Sequence, residues 1–228
     1  MVDLYICGAS NPEVIPLVQA INQKYFFWDR IVLLDDDPKK HGQSILRIDI
    51  VGPLSYLNEV DNESTYLLTY VAQTMQLRWI VRERLETYGF PFAKLIHPKV
   101  EVNDVSIGVD TIIYEGALIS PLVTLGDGCM VCPGSVIAHE CHLGRCCFVS
   151  PGAVLNSRVD IGDGTFIGAN ATILPGKNIG AWSTIGAGAV VIEDVPAGAT
   201  VFGNPARVIL QSKIPPDKVK NWLPPTKS

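Results

Sequence analysis

The stretch "IGDGTFIGANATILPGKNIGAWSTIGAGAVV", residues 161–191, repeats one six-residue phrase. Each phrase opens on an aliphatic residue, often followed by glycine, and places a mostly small residue four positions later. Reading outward at that interval, the aliphatic position runs Ile107, Ile113, Ile119, Leu125, Val131, Ile137, Leu143, Val149, Leu155, Ile161, Ile167, Ile173, Ile179, Ile185 and Val191. The small position holds residues such as Ala117, Ser135, Ala153 and Ala171, with Lys177 the one exception. Neither a helix nor an alternating strand has a six-residue period. A period held this long predicts a parallel β-helix, in which three hexapeptides make one coil of a triangular prism. Fifteen hexapeptides make five coils, and each residue should lie beneath its equivalent eighteen positions on.

Before the repeat, segments of strand and helix character alternate. "DLYICGA" reads as a buried strand, and Asn11-Pro12-Glu13 as a helix start with Asn11 as cap and Pro12 at the first helical position. "RIVLLDDD" is a second strand ending in three carboxylates, and "TYLLTYV" a third. "QTMQLRWIVRERLETYG" reads as an amphipathic helix with Met75, Trp79, Ile80 and Leu85 inward and Gly89 as its stop. Strands alternating with helices predict a parallel sheet in an α/β arrangement, Rossmann-like, whose ligand sits at the carboxyl ends of the strands. That rim would carry Gly8–Ser10 and Asp35–Asp37. The expected organisation is an α/β unit over 1–97, a β-helix over 98–210 closed by a cap with turns in "AGATVFGNPARVI", and a Pro- and Lys-rich tail over 211–228.

The 228 residues are 47% hydrophobic and 18% charged, as a soluble globular protein requires. A net charge of −5 argues against a nucleic-acid partner, which favours a basic surface. No apolar run approaches the roughly 20 residues of a membrane span, and "MVDLYICGAS" is too short for a signal core, so the cytoplasm is the expected location. The six cysteines, at 7, 129, 132, 141, 146 and 147, are then expected as thiols rather than disulfides.

Within the repeat, "SVIAHECHLG", residues 135–144, brings His139, Glu140, Cys141 and His142 together. The hexapeptide register separates them. Ile137 and Cys141 point inward, His142 belongs to the surface, and His139 stands at a prism corner pointing out, with Glu140 next along the turn. An outward histidine can act as a general base, and an adjacent carboxylate can fix its tautomer and raise its basicity. Cys129-x-x-Cys132 has the spacing of half a zinc site. A site from Cys129, Cys132, His139 and Cys141 would nevertheless need residues on different walls to converge, so no metal is expected. Cys129 and Cys147, eighteen apart, should stack in the core.

The hexapeptide array, the "HEC" step, the terminal "GNPAR", and "YICGAS", "LLDDD" and "LIHP" before the repeat resemble one known group. They are similar to the left-handed β-helix acyltransferases of the sialic acid O-acetyltransferase and UDP-amino-sugar N-acetyltransferase family. The resemblance implies a left-handed parallel β-helix after the α/β unit, acetyl-CoA as co-substrate, and homotrimers with active sites between adjacent prisms. It implies His139 as catalytic base, Glu140 as its orienting acid, and the backbone N–H of Ser157 as oxyanion donor. Gly8, Ala9, Ser10, Asp35 and Asp36 match its nucleotide-sugar loop and acid pair.

Three departures stand out: Phe148 replaces a second His that contacts the acetyl group in many relatives, Asn11-Pro12-Glu13 replaces a "GHG" loop, and Val71 or Ala72 replaces a glycine. Cofactor contacts are expected from Phe148, from Gly186, Ala187 and Gly188, whose amides would be open to the pantetheine arm, and from Asn204, Pro205 and Arg207. The expected activity is acetyl transfer to a sugar in surface-glycan synthesis, foremost N-acetylation of a nucleotide-linked amino sugar. O-acetylation of a sialic acid-like sugar or other hydroxyl is the alternative within enzymes, and a non-catalytic β-helical binding or scaffold protein the alternative outside them.

Overall fold

A computed structural model describes residues 2–61 and 63–212. The first unit holds β1 (Asp3–Cys7), α1 (Val14–Tyr25), β2 (Arg30–Leu34), β3 (Ser44–Ile45), β4 (Ile48–Gly52), β5 (Thr65–Thr69) and α2 (Met75–Glu86). The sheet order is β3-β4-β2-β1-β5, parallel except for the β3–β4 hairpin, which the sequence reading did not anticipate. Alternation along β1 serves both faces. Leu4 and Ile6 pack with α1 residues such as Val14 and Val18, while Tyr5 and Cys7 pack with Leu85 of α2.

Two expectations about the helices need correction. α1 begins at Val14, because the Asn11 side chain accepts from the Glu13 N–H in a turn and holds Pro12 outside the helix. On α2 the buried stripe is Met75, Arg78, Arg82 and Leu85, with Trp79 and Ile80 only half-buried. Arg78 donates to the carbonyls of Gly128 (2.8 Å), Thr69 (2.5 Å) and Asp110 (3.2 Å). Arg82 Nε lies 3.3 Å from the fully buried Asp110 carboxylate. These bonds fasten α2 to the second unit, so the stripe has helical spacing while half its members are cationic.

From Ser106 the chain winds into a left-handed parallel β-helix of two-residue strands in three walls. The first wall starts at Ser106–Ile107, the second at Ile112–Ile113 and the third at Leu118–Ile119, each recurring every eighteen residues. Met130 thus pairs with Phe148, and Val136 with Val154. The aliphatic positions fill the core. Ile167, Ile173 and Ile185 are fully buried, each contributing about 1.5–3 kcal/mol by leaving water.

Every sixth residue from Asp104 to Gly188 has positive φ, and these are the corners. The glycines that follow the aliphatic residues serve another purpose. A Cβ on Gly162 would stand 2.4 Å from the backbone N of Ala181 in the next coil.

Ahead of the eighteen-residue repeat, Leu95–Ile96 adds a strand to the second wall beside Ile112–Ile113, and Ile112 and Met130 on its outer face share a core with the α/β sheet. At the far end Ala199–Phe202 joins that wall and pairs antiparallel with Arg207–Gln211. The cap expected as turns is therefore a hairpin that extends to Gln211. The tail from 213 onward lies outside the described residues. No helix among the described residues is long and apolar enough to cross a membrane.

Candidate active site

His139 and Glu140 are the two central residues of the corner joining strand Val136–Ile137 to strand His142–Leu143. Glu140 has φ 60°, the left-handed conformation every corner of the prism requires. This fold of the chain turns its carboxylate back, and Oε2 lies 2.8 Å from Nδ1 of His139. Both side chains are about half exposed, at 54% and 45%. With Nδ1–H donating to the carboxylate, the Nε2 lone pair is left to accept a proton.

One coil on, Ser157 stacks over His139, and the Arg158 N–H donates to the His139 carbonyl at 3.0 Å. The Ser157 N–H has no backbone acceptor among the described residues, so it is a donor available beside the histidine. His142 lies exposed on the first wall, opposite Asp160.

All six cysteines are buried and free. Burial pushes the thiols of Cys132 and Cys146 up to about 12 and raises those of Cys7, Cys141 and Cys147. A protonated thiol is neither a nucleophile nor a metal ligand. No cluster of three or more His, Cys, Asp or Glu able to hold a metal exists among the described residues.

A second feature lies at the carboxyl ends of β2, β1 and β5. It is a cleft of about 540 Å³ lined by Gly8, Ser10, Asp35, Asp36, Lys40, Leu54, Tyr70 and Gln73 among others. A Cβ on Gly8 would meet the Tyr70 carbonyl at 2.2 Å, so only glycine lets the loop after β1 pass β5. Asp35 accepts from the Ala9 N–H (2.9 Å), the Asp37 N–H (2.9 Å) and Lys40 Nζ (2.7 Å). Burial pushes the Asp35 carboxyl up, but Lys40 and the two amides outweigh it and hold the group below its ordinary range. Asp36 accepts from the Leu54 N–H and from Arg84. Both carboxylates expected to face a ligand are thus already engaged by their own chain. Lys40, Tyr70 and Gln73 were not among the expected site residues. The signal for Lys40 was Pro38, which starts the turn Pro38–Lys40 that folds the lysine back over the rim.

Of the expected cofactor contacts, Phe148 stacks on Phe166 one coil on, with ring centroids 5.3 Å apart. The amides of Gly186 and Gly188 are not open. They donate to Val201 and Ala169 at 2.8 Å, and the Phe202 ring occupies the space beside Gly186. Only Ala187 of the three has no backbone acceptor among the described residues. Asn204 and Pro205 form the exposed turn of the terminal hairpin, and Arg207 binds the Ala206 carbonyl of that turn at 2.9 Å.

Two groups of site residues emerge, and one chain does not unite them. The cleft is lined wholly by residues of the α/β unit, which packs on the second wall. His139, Glu140 and Ser157 stand on the edge where the first and third walls meet, opposite that wall.

The bacterial transferase hexapeptide family (six repeats) matches residues 123–157 and 158–193. No curated protein sequence matches the chain. Solved structures do. The acetyltransferase domain of PglB from Neisseria gonorrhoeae is 29% identical with a TM-score of 0.84, over 92% of this chain and 100% of that one. A second structure of that domain holds acetyl coenzyme A. PerB from Caulobacter crescentus, in complex with CoA and GDP-perosamine, is 25% identical with a TM-score of 0.82, over 91% of this chain and 97% of that one. Two more structures of that perosamine N-acetyltransferase carry Asn or Ala in place of one histidine. WeeI from Acinetobacter baumannii is 25% identical with a TM-score of 0.81, over 92% and 100%. Residues 123–193 thus carry the bacterial transferase hexapeptide repeat, and the chain is similar over nearly its whole length to solved acetyltransferases that share its α/β unit and left-handed β-helix.

Proposed function

We propose that this protein is an acetyl-CoA-dependent acetyltransferase that N-acetylates a nucleotide-linked amino sugar, with His139 as general base. The observation that carries the reading is the 2.8 Å contact between Glu140 Oε2 and His139 Nδ1 on an exposed edge. In the reaction the sugar amine attacks the thioester carbonyl while His139 Nε2 takes the amine proton. Charge gathers on the carbonyl oxygen, where the Ser157 N–H donates. Collapse breaks the carbon–sulfur bond, and the imidazolium returns its proton to the departing thiolate. Glu140 stabilises the imidazolium between those steps. The raised thiols support direct transfer over a cysteine acyl-enzyme.

The acceptor belongs to the cleft of the α/β unit, residues 1–97, and acetyl-CoA to the prism, residues 98–210. Phe148, Ala187 and the Asn204–Arg207 turn remain its proposed contacts. GDP-perosamine, held by the PerB structure, is an acceptor of the proposed class. Because cleft and histidine lie on opposite sides of one chain, the complete site needs a neighbouring copy. The outer face of the third wall supplies a mostly apolar ladder for such an assembly, in Leu118, Val136, Val154 and Val190 with Thr172 between the last two, and Leu118 is 64% exposed. A homotrimer in the cytoplasm is the form we propose.

The test is thiol release from acetyl-CoA with a panel of nucleotide-linked amino sugars, free amino sugars and sugar alcohols. Turnover confined to nucleotide-linked amines supports the reading. Turnover with hydroxyl acceptors alone, or with none of the panel, overturns it.

A further inference from the structure

We propose that Lys40 anchors the diphosphate bridge of the acceptor, and that the first turn of α1 does not. This rests on the nucleotide-linked acceptor proposed above. The start of a helix is where a phosphate ordinarily finds backbone donors. In α1 those donors are spent. The Glu13 N–H goes to Asn11 Oδ1 at 2.9 Å and the Ile15 N–H to the Pro12 carbonyl at 3.0 Å, while the Val14 N–H faces the buried Tyr70 hydroxyl. Pro12 and Pro16 have no N–H to offer. The Glu13 carboxylate, 3.4 Å from Asn11 Nδ2, adds like charge at the same place. An anionic bridge laid there would meet repulsion and no donor.

Lys40 offers the opposite environment. It is the one cation among the residues that line the cleft. Its turn, capped by Asp37 accepting from the Lys39 N–H, carries Nζ back across the strand ends to within 3.0 Å of Ser10 Oγ. That position is the middle of the cleft. The sheet order puts Asp35–Asp37 and Leu54 at one end, the loop after β1 between, and Tyr70–Gln73 at the other. A nucleoside at one end and a sugar at the other place the phosphates over Ser10. An ammonium has three N–H donors, and Ser10 and Asp35 take two of them. The third is left for a phosphate oxygen, and the Asp35 pair holds Nζ in place until it arrives.

The experiment measures binding of UDP, GDP and dTDP, and of the matching nucleosides, to the full chain and to Lys40→Met and Lys40→Arg by calorimetry. The wild type should bind at least one diphosphate about tenfold or more tightly than its nucleoside, as a charge-assisted hydrogen bond provides. Lys40→Met should erase that preference and leave nucleoside binding in place, and Lys40→Arg should keep part of it. A preference undiminished in Lys40→Met overturns the role of Lys40 and leaves the proposed function standing. Failure of the wild type to bind any of the three diphosphates overturns both.

Discussion

Glu140 Oε2 and His139 Nδ1 lie 2.8 Å apart although the residues are neighbours in the chain. Consecutive side chains on an extended strand point to opposite faces. Here the left-handed φ of Glu140, imposed by the corner, folds its carboxylate onto the imidazole. The turn that shapes the prism therefore also joins the proposed base to its carboxylate.

Replacing Glu140 with Gln keeps the shape of the side chain and removes its charge. The imidazolium formed during transfer loses its counter-charge. We expect kcat to fall about ten- to a hundredfold while KM for acetyl-CoA stays within about twofold. Steady-state kinetics with a nucleotide-linked amino sugar checks this, and an unchanged kcat would remove Glu140 from the mechanism.

Asp110 is the buried counter-charge of Arg82 and faces Arg78, 4.0 Å away. Asp110→Ala leaves the buried Arg78 without a counter-charge and Arg82 with only the more exposed Glu86 and Asp127 in the joint between the units. A loss of about 3–5 kcal/mol is expected in denaturant unfolding. Arg84→Ala, which breaks the half-exposed pair with Asp36, should cost about 0–1 kcal/mol. Equal effects would show that burial of the Asp110 network does not govern its strength.

The Asp35 carboxyl is held below its ordinary range by Lys40 and two amides, against the upward push of burial. A lowered folded pKa means that its stabilisation is complete above the unfolded value, about 3.9, and is lost as pH falls through the lower folded value. The stability difference between wild type and Asp35→Asn should be constant near neutral pH and shrink only in acid. A difference that grows as pH falls below 4 would have the wrong sign.

The opposed placement of cleft and histidine predicts intersubunit complementation. A His139→Asn chain keeps its cleft, and an Ala72→Trp chain, blocked at an exposed residue of the cleft lining, keeps its histidine. Co-expressed, the two should regain about a quarter of wild-type activity, since random pairing of two chains in a cyclic assembly restores that share of interfaces. No recovery in mixed assemblies that form would place the whole site within one chain.

The prism was legible because six-residue spacing has one structural solution, and Ile107 through Val191 all take the inward or strand positions the period demands. The outward direction of His139 followed from the same register. What spacing could not carry was pairing across the chain. Arg78 and Arg82 are cations on a helical stripe, and partners distant in sequence, the Asp110 carboxylate and the Gly128 carbonyl among them, explain their burial. The amides of Gly186 and Gly188 looked open because glycine lacks a side chain, yet strands outside the local phrase claim them. Asp35 and Asp36 lie at the rim that the strand pattern predicts, while their engagement by Lys40 of the Pro38–Lys40 turn and by Arg84 of α2 is again pairing across the chain.

The most direct test of the account is single-turnover acetyl transfer by His139→Asn, with acetyl-CoA binding measured on the same protein. We predict a rate reduced by about 10²–10⁴ with the dissociation constant of acetyl-CoA unchanged, because His139 moves a proton. A variant that transfers acetyl at the wild-type rate would contradict the mechanism.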